Sequence, residues 1–589
     1  MALSIYIKMQ KKRFLSLLVL FLFACWFGVK AQVSTEPYIP CQEIPYLMKQ
    51  FEADEAAIYR FYSPSENAPR YRSVKGMGSP DRQKRLKALD EAYLKRLKEV
   101  DFDVLPQECK VDYLLFVRDL QENLHQLEKI TEQMETLKDW FPFADSIFAL
   151  ERLRRRGNPV DAPKVAATFA TIGKEIPALI TKLRNIALEP EQIRAAQDEV
   201  TLLRKTAASV FRFYDGYDPA FSWWVPHEYH RVDSLLGHFG EVFLQKQQPN
   251  RLGIFTRTPI GREELVRLLQ LEFVNYSPEE LLAIAYKEMD WCQQEMLKAS
   301  QELGFGKDWK AALEKVKTSA VPPGQQPQVI RKLYEESVDF LKKNDLITIP
   351  ELAEETWGMI MMSPERQRSN AFFTGGWEIS ITYPTNTMDF DLAKMRMLGN
   401  NPYFSRATVH HELIAGHNLE FFMNARHRTY RNFDTPFWME GWALYWEMLL
   451  WDKGFARTPE EKIGMLFWRK YRCARIIFQL NYHLGKWTAE QCADFLVDEV
   501  GHERANVESE LNWPLSRDSD AFPLYQVSYY IGGLQFYALR REVLEASKMT
   551  EKKFHDTVLQ LNAMPVEMIR SIIMEKALTS TYQTAWKFY

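Results

Sequence analysis

Apolar residues spaced three and four positions apart, with charges between them, run through most of this chain, and that rhythm admits few folds. "DRQKRLKALDEAYLKRLKEV" (81–100) and "KVDYLLFVRDLQENLHQLEKI" (110–130) are clear early cases. The spacing puts the apolar side chains on one face of an α-helix, and that face must be buried against another element. "SPEELLAIAYKEMDWCQQEMLKASQELG" (277–304) carries its own punctuation. Ser277 is an N-cap, Glu280 completes a capping box and Gly304 is a stop signal. "PQVIRKLYEESVDFLKKNDL" and "TAEQCADFLVDEVG" repeat the pattern, and "VPPGQQP" (321–327) marks the clearest loop. The apolar stripes are read as core packing, and the fold class as mainly α.

One stretch departs from the helical rhythm. In "NAFFTGGWEISITYP" (370–384), Trp377, Ile379, Ile381 and Tyr383 alternate with smaller or polar residues, which predicts a half-buried strand. A small β-sheet beside the functional site is therefore expected, with the strand at 376–383 able to hold a substrate backbone by strand addition. At 589 residues the chain has room for an N-terminal helical region (32–270) and a second helical region (271–589) that carries the chemistry. The two can also form one continuous body. A formal net charge of −3 leaves no electrostatic footprint for nucleic acid.

The first residues read as a secretory signal. Lys8, Lys11, Lys12 and Arg13 precede the apolar run "FLSLLVLFLFACWFGV", and Val29 and Ala31 occupy the small-residue positions of a cleavage site before Gln32. An exported, periplasmic protein is expected, with lipid anchoring at Cys25 of "LFAC" as the lesser alternative. No later segment reaches the ~20 apolar residues that span a membrane. Cys41, Cys109, Cys292, Cys473 and Cys492 remain, scattered and without a C-x-x-C pair, which excludes a zinc cluster and favours mostly buried free thiols.

The chemistry concentrates in "VHHELIAGHNLE" (409–420). His411 and Glu412 begin the H-E-x-x-H pattern of zinc hydrolases, but the next histidine, His417, comes two residues late. On a regular helix six residues turn about 600°, which leaves His417 roughly 120° off the face of His411 and ~9 Å along the axis. Zinc holds its histidine nitrogens at ~2.0–2.1 Å, so a smooth helix cannot bring these two to one ion. His410 and His417 share a face, but are too far apart along it. A working site requires the helix to bulge or break between Glu412 and His417, and Gly416 is the residue suited to unusual dihedrals there. Downstream, "FWMEGWALYWEMLLW" (437–451) is an apolar helix with two carboxylates, Glu440 and Glu447, on nearly the same side. Buried carboxylates need a cation or hydrogen-bond donors. Glu440 is suited to be a third ligand, and Glu447 to orient a ligand histidine through its other ring nitrogen.

"HHELIAGHNLE" followed by "EGWALYWE" resembles the bacterial family called domain of unknown function 885, whose members carry H-H-E-x-x-P-G-H-H-x-Q and then E-G-W-A-x-Y-x-E. The likeness extends to "PIGREELVRLLQLEFVNYSPEELLAIAYKEM" (259–289), "ARIIFQLNYHLGKWTAEQC" (474–492) and "YYIGGLQFYALRREVLEASKMTEKKFHDTVLQLNAMP" (529–565). The resemblance implies a mostly helical, zincin-like body around a channel or cleft, one zinc ion and a peptide substrate. It implies His411, His417 and Glu440 as ligands, Glu412 as general base and Tyr529 as a donor to the oxyanion. His410, Glu447, His483, Arg540 and His555 stand as supporting or substrate candidates. The chain departs from the family pattern at Ala415, Asn418 and Glu420, none of them a ligand or the base. A hydrolase of another amide or ester, and a non-enzymatic helical binding protein, are the rival readings. Neither a preferred substrate side chain nor an oligomeric state is written in the sequence.

Overall fold

Helices follow the apolar stripes closely. The structure, a computed structural model, describes residues 42–64, 76–370, 372–433 and 435–589. The expected leader, its cleavage point, Cys25 and Cys41 lie outside those residues. In the N-terminal part, α1 (Glu43–Tyr62), α2 (Pro80–Lys98) and α3 (Gln107–Leu137) pack on one another. Beside them α4 (Ala162–Arg184), α5 (Pro190–Tyr214) and α6 (Pro226–Leu244) enclose a core that includes Phe169, Ile176, Leu203, Phe239 and Phe243. α7 (Pro278–Glu302) begins with the expected capping box: the Ser277 hydroxyl accepts from the Glu280 N–H, and the Glu280 carboxylate accepts from the Ser277 N–H. Gly304, two residues past its end, takes φ +85°. α8 (Gln326–Lys343) starts inside "VPPGQQP", taking its last two residues into the helix.

The small sheet has two strands among the described residues, β1 (Gly358–Met361) and β2 (Glu378–Ile381). They pair in parallel, Gly358 opposite Glu378 and Met361 opposite Ile381. β2 differs from the half-buried strand that its alternation predicts. Ile379, Ser380 and Ile381 are all buried: Ser380 exchanges both backbone hydrogen bonds with Thr374 on the side away from β1, and its hydroxyl accepts from Arg366 Nη1 at 3.3 Å. β1 itself has no alternating pattern to announce it.

Seven further helices build the part that carries the site: α9 (Pro402–Glu412), α10 (His417–Asn424), α11 (Pro436–Asp452), α12 (Pro459–His483), α13 (Arg504–Leu515), α14 (Tyr525–Glu545) and α15 (Glu551–Leu561). α11 and α12 are buried on nearly every side, which is why they lack a polar stripe. α7 and α9 pack on α12, and α14 on α11. At the α11–α14 crossing two glycines meet: a Cβ on Gly441 would fall 2.6 Å from the Gly532 Cα, so the backbones touch there. Glu43–Tyr589 forms one compact unit. Cys109 is disulfide-bonded, while Cys292, Cys473 and Cys492 are buried free thiols. Among the described residues no helix is long and apolar enough to cross a membrane.

Candidate metal centre

The helix through "HHELIAGH" breaks where the spacing requires it to. α9 ends at Glu412, the Leu413 N–H still donating to the Val409 carbonyl at 2.9 Å, and α10 begins at His417. Between them the Ile414–Ala415 peptide is cis, and the Gly416 N–H donates back to the His410 carbonyl at 3.0 Å. Gly416 meets a demand for space as well as for unusual dihedrals. Its φ is −84°, which any residue can adopt, but a Cβ there would lie 1.9 Å from the His411 carbonyl oxygen. Lack of room for a Cβ demands glycine, alongside a ψ of −135° that lies outside the helical and extended ranges. The indole N–H of Trp442 on α11 donates to the Ala415 carbonyl at 2.9 Å and ties the break to the helix that carries Glu440.

The break turns the two histidines toward one point. Their rings stand perpendicular with centres 4.9 Å apart. Glu440 Oε2 lies 3.4 Å from His411 Nε2 and 3.3 Å from His417 Nε2. One donor atom from each of the three residues falls within 4.8 Å of the others, and all three side chains are buried. A tetrahedron with arms of ~2.0–2.1 Å has edges of roughly 3.3–3.4 Å, so the two carboxylate–imidazole separations suit a zinc-sized ion. Glu440 Oε2 is buried with no hydrogen bond, an orphan acceptor at the point where the imidazoles converge. Burial opposes charge on all three groups, yet their mutual attraction wins: the pKa of His417 is lifted well above its ordinary value and that of Glu440 held well below. The cluster is poised for a cation.

Each cluster member is held from behind. His411 Nδ1 lies 2.7 Å from Glu447 Oε1, and that oxygen lies 3.4 Å from Arg472 Nη2. His417 Nδ1 lies 3.3 Å from Glu420 Oε2, and the Tyr525 hydroxyl donates to Glu440 Oε1. Carboxylates behind ligating histidines fix the ring and raise its basicity. Of the three departures from the family pattern, two have side-chain roles here: Asn418 donates to the Gly376 and Trp377 carbonyls and Glu420 backs His417, while Ala415 contributes only its backbone carbonyl.

The cluster opens into a cavity of about 410 Å³ that also receives Glu412, Tyr529 and the Phe372–Gly375 segment. Burial raises the pKa of the Glu412 carboxyl. Tyr529 lies nearly parallel to the His411 ring, with centres 6.1 Å apart. β2 lies between β1 and Thr374, so the backbone that fronts the cavity is Phe372–Gly375 rather than the strand at 376–383.

Of the remaining sequence candidates, His410 is buried next to the cluster, its ring edge-on to Phe455 and both nitrogens without hydrogen bonds. His555 bridges the Tyr445 hydroxyl and the Leu346 carbonyl, Arg540 pairs with Glu551, and His483 is buried at the end of α12; none of these three lines the cavity. Sequence reasoning did not single out Tyr525, Arg472 or Glu510, and met Arg475 only as the Arg of the family-like segment 474–492, with no role. Tyr525 precedes Tyr529 by one helical turn, a signal that could have been read; the other three stand on helices whose local sequence gives no sign of the cavity.

Fold and site thus define a mainly helical protein with a buried His–His–Glu cluster at a cavity. The chain belongs to the family of bacterial proteins of unknown function DUF885, whose profile matches residues 71–573. Among solved structures it is similar to a candidate lipoprotein of unknown function from Shewanella oneidensis, at 18% identity and TM-score 0.63, over 90% of this chain and 99% of that one. A candidate lipoprotein from Colwellia psychrerythraea is similar at 16% identity and TM-score 0.54, over 91% and 98%. Both likenesses are of fold. No curated protein matches the chain.

Proposed function

We propose that this chain is an exported, zinc-dependent hydrolase of peptide bonds, zincin-like, with a helical body around its cleft. The observation that carries the reading is the meeting of His411, His417 and Glu440 across a broken helix, with a buried Glu440 oxygen left unbonded at the meeting point. Two imidazoles and a carboxylate are a catalytic zinc donor set, because three protein ligands leave a fourth position for water. Bound there, zinc would act as a Lewis acid and lower the pKa of a water toward ~7.

Glu412 follows a ligand in sequence and lines the same cavity. It is the base that takes the proton of the attacking water and returns it to the leaving amine, a task that its raised pKa suits. Burial keeps the Tyr529 hydroxyl protonated, so it serves as a donor to the developing oxyanion. The Phe372–Gly375 backbone supports the substrate chain. Export is favoured by the leader-like first residues and by the candidate lipoproteins that share the fold.

A peptide library read by mass spectrometry tests the reading. Zinc-loaded protein is expected to cut peptides, and Glu412→Gln to keep its zinc while kcat/KM falls by about 10³-fold. Turnover by Glu412→Gln within tenfold of the unsubstituted protein removes Glu412 as base. Cleavage of esters or other amides, but of no peptide, transfers the site to a different hydrolase class.

A further inference from the structure

Two buried arginines line the same cavity with more donors than acceptors. Arg472 and Arg475 stand three residues apart on α12, and their guanidinium carbons lie 5.0 and 4.6 Å from the ring centre of Tyr529. Their residues are only 3% and 6% exposed. Glu447 meets Arg472 Nη2, and Glu510 meets Arg475 Nη2. Arg472 Nε, and both Nε and Nη1 of Arg475, are buried without an acceptor in hydrogen-bond geometry, the Tyr471 hydroxyl standing beside Arg475. A buried donor left unpaired is costly, and a guanidinium cannot relieve that cost by losing its proton. The geometry asks for a planar anion with several acceptor sites, and a carboxylate fits a guanidinium fork in two-pronged fashion.

We propose that Arg472 and Arg475 bind a carboxylate of the peptide substrate, which makes this protein a peptidase of acidic or free-carboxyl chain ends. The proposal rests on the peptidase reading above. One tyrosine ring separates the arginines from His411, since Tyr529 faces both. Extended chain covers ~3.3–3.6 Å per residue, so the bound carboxylate lies within a few residues of the bond cut. Two sources fit: the C-terminal carboxylate, or an Asp or Glu side chain close to the scissile bond. Glu510 is already engaged with Arg475, which leaves the unpaired N–H edge of the guanidinium, rather than a free acid, to choose the substrate.

The test is calorimetric binding to zinc-loaded Glu412→Gln, which holds peptides without turning them over. Four ligands are compared: trialanine, its C-terminal amide, its N-acetyl derivative, and the amide with glutamate as last residue. Trialanine is expected to bind at least about 30-fold more tightly than its amide, with acetylation changing affinity less than threefold. Tight binding of the glutamate amide identifies a side-chain carboxylate as a source; weak binding restricts the source to the chain end. Adding Arg475→Gln is expected to bring acid and amide together. Acid and amide within threefold with no tighter binding of the glutamate amide, loss of binding on acetylation instead of amidation, or no binding of any ligand overturns the proposal. The ligand comparison within one protein stands even if Arg475→Gln misfolds. Failure of the peptidase reading shows separately, as intact peptides after incubation with unsubstituted protein.

Discussion

At His411 and His417, the nitrogen that faces the cluster is governed by what stands behind the ring. Glu447 meets His411 Nδ1 and Glu420 meets His417 Nδ1, so each Nε2 is left free to face Glu440. Removing charge behind one ring should weaken the metal without removing a ligand. Glu447→Gln is expected to raise the zinc dissociation constant about 10–100-fold, read by competition with a chromogenic chelator. An unchanged constant would detach Glu447 from the centre. At this scale the sequence was legible where chemistry is spaced along one helix: His411, Glu412, Glu440 and Glu447 could be named from spacing and from the cost of greasy carboxylates. Glu420 was visible only as a departure from the family pattern, and its use depends on a turn that the sequence does not draw. Arg472 and Arg475 were hidden because α12 is buried on nearly every side, so no stripe separates cavity from core.

For the elements, the decisive event is the break between α9 and α10. The need for it followed from helical arithmetic, but its cause did not. Glycine is required at 416 by the closeness of the His411 carbonyl, a contact that exists only once the chain has turned. Gly416→Ala is therefore expected to cost about 3 kcal/mol of unfolding free energy and to weaken zinc binding with it, checked by urea denaturation with and without metal. A loss below ~0.5 kcal/mol, the range of ordinary surface changes, would mean the turn has room to spare. β2 shows the converse limit. Its alternation predicted one wet face, but Arg366 reaches the Ser380 hydroxyl on that face, and what covers a strand's face cannot be read from its own residues.

For the whole molecule, buried neutral histidines that do not line the cavity make stability depend on pH. Burial, aided by Arg257, lowers the pKa of His483 to about 3, against an ordinary 6.5. Between those values the unfolded chain binds the proton and the folded protein does not, so stability falls as pH drops through 6.5. The loss by pH 5 is about 2 kcal/mol for this residue. His555, lowered to about 4 by burial, acts in the same direction. His483→Leu is expected to reduce the stability lost between pH 7 and pH 5, read as the difference in urea midpoints; an unchanged difference would place His483 outside the titration. The helical architecture itself was legible because apolar stripes of period 3.6 dictate it. The assembly of α9, α10, α11 and α14 around one point was not, because it depends on contacts such as Gly441 against Gly532 that join distant parts of the chain.

The central claim is that a broken helix and a distant glutamate make one metal site. Zinc content after equilibrium dialysis, measured by mass spectrometry for the unsubstituted protein and for His417→Ala and Glu440→Ala, tests it most directly. One zinc per chain, lost or weakened at least about 100-fold in both variants, is the result predicted. No zinc in the unsubstituted protein, or zinc retained undiminished in both variants, would contradict it.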